Sequence, residues 1–143
     1  DTVVGISASG SARFVIEALQ EAKDRNAATV AVVNASNSPL AAEADVSIEV
    51  ITGPEVISGS TRMKAGTAQK LVLNMISTVS MIRLGHVHGS RMVDMQLTNK
   101  KLVDRGTRMI MEETGIEDYD LARKLLLEHG QVRAAVNAYQ NGK

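Results

Sequence analysis

Thr2-Val-Val-Gly-Ile6, running directly into Ser7-Ala-Ser-Gly-Ser11, is the stretch on which the reading of the fold turns. A short apolar run ending in a small, polar loop reads as a buried strand feeding a turn. From Ala12 the period changes. Phe14, Val15, Ala18, Leu19 and Ala22 form one face, and Glu17, Gln20, Glu21 and Lys23 form the other, so an amphipathic helix follows. A second buried strand, Ala28 to Val33, is closed by the turn-rich Asn34-Ala-Ser-Asn-Ser-Pro39, and Leu40 to Ala44 suggests a short helix. Val46 to Ile51 reads as a third strand. Strands alternating with helices at this spacing predict parallel βαβ units, hence an α/β fold with a parallel sheet flanked by helices.

Beyond the loop from Thr52 to Gly59, Ala68, Leu71, Val72, Met75, Ile76, Val79 and Ile82 recur at three- and four-residue steps until Gly85. This is the longest helical signal, and its apolar stripe reads as core packing rather than cofactor contact. Leu97 to Glu113 predicts another long helix ending at Gly115. Asp120 to His129 and Gln131 to Tyr139 predict two short helices separated by Gly130.

Composition bounds the chemistry. The 143 residues suffice for a buried core, and the 44% apolar fraction comes from aliphatic residues and Met, with almost no aromatics to stack on bases. Sixteen basic residues balance sixteen acidic ones, so no overall field favours nucleic acid or an anionic membrane, and any bound anion must be gripped locally. The absence of cysteine excludes thiolate chemistry and disulfides. Leu71 to Leu84 is too short and too interrupted for a membrane span, and no leader pattern precedes the first strand, so a cytoplasmic protein is expected. The opening at Asp1, directly before a strand, suggests a piece of a longer protein.

Two loops could carry chemistry. Ser7-Ala-Ser-Gly-Ser11 offers hydroxyls and free N–H groups at a helix start, where the helix dipole is positive, and Gly10 permits close backbone approach to a phosphate. The competing reading is a turn that merely caps the helix. The second is Gly53-Pro-Glu-Val-Ile-Ser-Gly-Ser-Thr-Arg-Met-Lys-Ala-Gly-Thr-Ala-Gln-Lys70, which crowds Ser58, Ser60 and Thr61 into the start of the long helix and sets Arg62 and Lys64 in its first turn. Cations there oppose the dipole, so an anion from a ligand or a nearby carboxylate should offset them. Ser60, Lys64 and Thr67 should fall on one side of that helix.

The stretch Gly53 to Lys70 resembles the signature shared by N-acetylmuramic acid 6-phosphate etherases and the glucokinase regulatory protein. The continuations Leu71-Val-Leu-Asn-Met, Met92-Val-Asp-Met-Gln and Thr98-Asn-Lys-Lys-Leu-Val are similar to the bacterial etherases in particular. The resemblance implies a sugar isomerase (SIS) domain over 1–115, the later half of the enzyme, and a truncated C-terminal helical module over 116–143. It implies a sugar-phosphate ligand gripped by Ser7, Ser9, Gly10, Ser11, Glu55, Ser60, Thr61, Arg62 and Lys64. It also implies a homodimer, no metal and no other cofactor, and catalytic glutamates upstream of Asp1. The implied reaction is cleavage of the D-lactyl ether. One departure is that Ser11-Ala12-Arg13 stands where the etherases usually carry Arg-Thr-Pro. The resemblance also leaves open a non-catalytic sugar-phosphate sensor and, more remotely, an aldose–ketose isomerase.

Among single residues, Arg62 is expected to brace the loop through a carboxylate such as Glu55, and Lys64 to lie nearer the ligand. Glu55 itself is either an acid/base with a raised pKa or a loop anchor accepting hydrogen bonds, with anchoring the preferred reading. His86 and His88 read as surface histidines rather than metal ligands. Asp94 reads as a cap or a dimer contact, and Glu112-Glu113 as a solvated helix face.

Overall fold

The computed structural model describes residues 1–142 and divides the chain into two compact units, Asp1–Thr78 and the residues from Val79 onward. The first unit carries a three-stranded parallel sheet. Strands β1 (Thr2–Ser7), β2 (Ala28–Val33) and β3 (Val46–Glu49) lie in the order β1-β2-β3. Helices α1 (Arg13–Asp24) and α2 (Pro39–Glu43) make the two crossovers, as the alternation of periods predicts. The register aligns Gly5 with Ala31 and Ser47, and Val4 with Val30 and Val46.

One face of this sheet is closed. Leu19, Ala31, Val33 and Leu40 are buried together, with Val15 and Ile16 packed against them. Gly5 makes this possible, because a Cβ there would stand 2.9 Å from Val15 Cγ1 and 3.1 Å from Leu19 Cγ. The start of β3 is pinned to β2 by Asp45, whose carboxylate accepts from both the backbone N–H and the hydroxyl of buried Thr29 at 2.8 Å. Those two bonds, backbone first, hold the Asp45 pKa below its ordinary value. Adjacent residues on a strand point to opposite faces, so Val4, Val30 and Val46 form a row away from α1, and Val4 and Val46 are exposed.

Helix α3 (Lys64–Arg83) corrects two expectations. It begins at Lys64, so Ser58, Ser60, Thr61 and Arg62 lie in the loop before it, and Ser60 does not share a helix face with Lys64 and Thr67. Its apolar stripe is also not core. Only Ala65 and Val72 are buried, whereas Leu71 is 49%, Met75 59% and Ile82 52% exposed. The physical reason is that the described residues leave most of this helix without a packing partner. Leu73 and Met81, between the stripe positions, are 41% and 40% exposed as well, so the apolar side chains of α3 find little cover among the described residues.

The second unit is a helical cluster preceded by a hairpin. Strands β4 (Val87–His88) and β5 (Arg91–Met92) pair antiparallel, an element that the sequence reading does not anticipate. Helices α4 (Lys100–Thr114), α5 (Tyr119–His129) and α6 (Val132–Asn141) follow near the predicted bounds. Their ends are well signalled. The side chain of Asn99 accepts from Leu102 N, Asp118 accepts from Asp120 N and Leu121 N, and Gly115 and Gly130 close α4 and α5 in the left-handed conformation. Met109, Ile110, Leu126, Val132 and Ala135 share one core. Gly106 lets these helices meet, since a Cβ there would lie 2.8 Å from Leu126 Cδ2. This core takes in residues on both sides of 115/116, from Met109 and Ile110 to Ile116 and Leu126.

Candidate functional site

The Ser-rich loop leaves β1 at the carboxyl edge of the sheet, the end where ligands sit in open parallel α/β sheets. Its shape is fixed mostly by the backbone. Gly10 N donates to Ser7 O and Ser7 Oγ, each at 3.2 Å, and Leu40 N donates to Gly10 O at 2.9 Å. Gly10 has φ +64°, and a Cβ at this position would lie 2.1 Å from Ser38 Oγ. Glycine is therefore required twice over, by conformation and by space. The hydroxyls of Ser9 and Ser11 face each other at 2.8 Å, and Ser11 N donates to Ser9 Oγ at 3.3 Å. Helix α1 then opens at Ala12 with no side-chain cap. The capping reading of this loop is thus not what its side chains do: Ser7, Ser9 and Ser11 bond within the loop.

The signature loop solves its helix start differently. Glu55 reaches forward so that Oε2 accepts from Lys64 N and Oε1 from Ala65 N, both at 3.0 Å. A carboxylate spread across two first-turn N–H groups is a cap supplied from outside the helix. Its pKa is lowered, first by the Ala65 N–H, then by the Lys64 N–H, with the Lys64 charge adding to both. A raised pKa for acid/base work is therefore not what the surroundings produce. Glu55 anchors the loop.

Arg62 does not brace Glu55, correcting that expectation, because both carboxylate oxygens already face α3. Among the described residues, Arg62 and the Lys64 ammonium make no ion pair or hydrogen bond, and both side chains are exposed. The loop is tightened by its own backbone: Ser60 N donates to Ile57 O, Thr61 N to Gly59 O, and Thr61 O accepts from Gly66 N at 2.8 Å. Ser60 is half-buried and Thr61 exposed.

The nine expected ligand residues thus form two groups. Ser7, Ser9, Gly10 and Ser11 share the first loop. Glu55, Ser60, Thr61, Arg62 and Lys64 share the second. No hydrogen bond among the described residues joins one group directly to the other. The connection runs through a residue the sequence reading treats only as part of a turn, Asn34. Its N–H donates to Ala8 O at 2.9 Å, its Nδ2 donates to Val50 O at 2.9 Å, and its Oδ1 accepts from Gln69 Nε2 at 2.8 Å. A polar residue at the carboxyl end of a parallel strand is the signal that could have drawn notice to it.

In the second unit, Asp94 is neither a cap nor left unpaired. Its two oxygens accept from Arg133 Nε at 3.2 Å and Nη2 at 3.0 Å, and His86 Nδ1 lies 3.0 Å from Oδ2. Arg133 also donates to Gly85 O, so α6 clamps the segment around the hairpin. Glu112 pairs with Arg91. A cavity of about 450 Å³ bounded by Val87, His88, Val93, Arg133 and Asn137 contains none of the expected ligand residues.

A parallel βαβαβ sheet with a Ser-rich turn after its first strand defines a class, and comparison with known families agrees: residues 1–79 match the SIS domain, and the chain belongs to that family. Among curated proteins it is similar to proteins named N-acetylmuramic acid 6-phosphate etherase. It is 56% identical to that of Bacteroides fragilis over 99% of this chain and 50% of the relative. It is 60% identical to that of Porphyromonas gingivalis over 94% of this chain and 49% of the relative. The protein of that name from Mycolicibacterium smegmatis is 49% identical over 95% of this chain and 46% of its own length. The chain therefore spans about half the length of the curated relatives it matches.

Proposed function

We propose that this chain is the sugar-phosphate-binding part of an N-acetylmuramic acid 6-phosphate etherase acting in cell-wall amino sugar recycling. The observation that carries the reading is the similarity to proteins of that name along nearly the whole chain, at 56% and 60% identity. The geometry supports it. An uncapped α1 behind a loop rich in hydroxyls and N–H groups suits the phosphate, and the exposed cations of the second loop suit an anionic substrate.

The reaction would open the sugar ring, remove the proton next to the aldehyde with a base, and expel D-lactate with an acid assisting at the ether oxygen. Water then adds across the resulting double bond to give N-acetylglucosamine 6-phosphate. Two carboxyl groups of separated pKa suit such work. Glu55, with its lowered pKa and both oxygens engaged, suits neither role, and in this reading the acid and base come from the part of the enzyme outside this chain. The intact enzyme would be a cytoplasmic carbon–oxygen lyase and a homodimer that requires no cofactor.

The test is lactate release from N-acetylmuramic acid 6-phosphate by the full-length protein, with none expected from the 143-residue chain alone. Tight binding of the sugar phosphate by the full-length protein without lactate release would overturn the etherase in favour of a non-catalytic sensor.

A further inference from the structure

We infer that Asn34 is a positioning residue that sets the spacing between the two ligand loops; the inference rests on the reading of those loops as one sugar-phosphate site. Asn34 stands one residue past the end of β2 and touches three segments at once. Its backbone holds the Ser-rich loop through Ala8 O. Its side chain holds Val50, the exit of β3 toward the signature loop, and Gln69 in the second turn of α3.

The amide orientation is forced. Val50 O can only accept, so it must face Nδ2, which leaves Oδ1 toward the amide hydrogens of Gln69. Every hydrogen-bonding role of the Asn34 side chain in this arrangement has one chemical solution. Aspartate would keep the bond to Gln69 but oppose Val50 O with a second acceptor. Alanine would release both partners. In the half-buried setting of these three groups, each freed group loses a bond that water replaces poorly.

The Ser-rich loop does not depend on that side chain. Its shape comes from Gly10 N to Ser7, Leu40 N to Gly10 O, the contact with Ser38, and the Asn34 backbone N–H, all of which survive substitution of Asn34. A small anion that needs the first loop alone should bind unchanged. A sugar phosphate that must reach from the first loop to the start of α3 should not. Misplacing one contact against the other costs binding and rate even when each loop remains folded.

The experiment compares wild type, Asn34→Asp, Asn34→Ala and Gln69→Leu in the full-length protein. Calorimetric titration uses two probes, inorganic phosphate and N-acetylglucosamine 6-phosphate. The expected result is about tenfold weaker sugar-phosphate binding in all three variants, with inorganic phosphate within about twofold of wild type. Gln69→Leu with Asn34→Ala should be no worse than Asn34→Ala alone, since Asn34→Ala already breaks the bond to Gln69. If Asn34→Ala fails to fold, Gln69→Leu carries the test, because it leaves the bond to Val50 intact. Variants that bind the sugar phosphate as wild type does would overturn the inference while sparing the site. Equal losses for both probes would also overturn it, showing a collapsed first loop rather than lost spacing. A wild type that binds neither probe would overturn the site itself, and the positioning role with it.

Discussion

Helices α1 and α3 both start from small, hydroxyl-rich loops, yet their first turns are satisfied in opposite ways. At α1 the residue before the helix is Ala12, which offers no side-chain acceptor, and the nearest hydroxyls, Ser9 and Ser11, bond each other. At α3 the protein brings its own anion, Glu55, onto the N–H groups of Lys64 and Ala65. Two cations near a helix start call for a compensating negative charge, and at α3 that charge is internal. The first loop leaves its helix end without a side-chain cap, where the proposed phosphate would sit, whereas the second has the N–H groups of Lys64 and Ala65 filled and turns Arg62 and Lys64 outward.

The largest expected effect tests whether the first loop is a rigid cradle. Gly10→Ala places a Cβ 2.1 Å from Ser38 Oγ and 2.3 Å from Ser38 Cβ, in a backbone with φ +64°. Strain and overpacking together should cost about 3 kcal/mol in urea unfolding of the full-length protein. Sugar-phosphate binding should be lost as well. A variant as stable as wild type would mean that the loop yields, and the contrast between an open and a filled helix start would lose its structural basis.

The next effect concerns the filled start. Because Glu55 has a lowered pKa, its contribution is fully present above the unfolded value, about 4.5, and is lost as pH falls through the lower folded value. Glu55→Gln retains one acceptor oxygen but turns an amide N–H₂ toward one of the two backbone N–H groups. The variant should melt below wild type at neutral pH, and the gap should close on acidification below about 4.5 because wild type falls. A gap that persists unchanged to low pH would show that charge is not the source. Proton exchange next to the aldehyde should survive in Glu55→Gln; its complete loss with binding intact would make Glu55 catalytic.

How far the sequence speaks differs between these regions for physical reasons. The three strands and the crossover helices are legible because periods of two and 3.6 are imposed locally, and β2 falls on the predicted residues, Ala28–Val33. The caps Gly115 and Gly130 are legible because glycine alone takes that conformation cheaply. The start of α3 is not, since the group that sets it, Glu55, lies nine residues upstream of Lys64 and is joined to it only by folding. The burial of α3 is misjudged because a periodic apolar stripe says that a face can be buried, not that these residues supply what buries it; Met75 and Ile82 stay more than half exposed. Asn34 looks like any turn residue until Val50 and Gln69 are brought to it. The Ser7–Ser11 loop can be located from sequence, but that its hydroxyls bond inward and leave α1 uncapped cannot.

A smaller effect separates the hydroxyls from the backbone in the first loop. Ser9 and Ser11 are exposed, and their mutual hydrogen bond is solvated, so Ser9→Ala should leave the melting temperature unchanged within error. If the hydroxyls help to grip phosphate, the same variant should bind N-acetylglucosamine 6-phosphate about threefold to tenfold more weakly, the loss of one neutral donor to a charged acceptor. An unchanged affinity would place the grip in the backbone N–H groups alone and sharpen the contrast with α3, whose first-turn N–H groups at Lys64 and Ala65 are taken.

A similarly small effect on stability should come from Arg62→Lys, where the sequence alone argues for a large one. A guanidinium bracing Glu55 would be replaced poorly by an ammonium, since Lys cannot offer the planar fork. In the structure, however, each oxygen of Glu55 accepts from the start of α3, Lys64 N or Ala65 N, and Arg62 is exposed with no partner among the described residues. An exposed, unpaired cation exchanged for another should change stability by less than about 0.5 kcal/mol. Binding is another matter: if Arg62 meets the substrate, loss of the fork should weaken sugar-phosphate affinity with the melting temperature intact. Thermal unfolding and calorimetric titration of one protein preparation separate these outcomes. A clear drop in melting temperature would mean that Arg62 finds a carboxylate in the full-length enzyme, outside the residues of this chain. Unchanged melting and unchanged affinity together would remove Arg62 from the site and leave Lys64 as the cation facing the ligand.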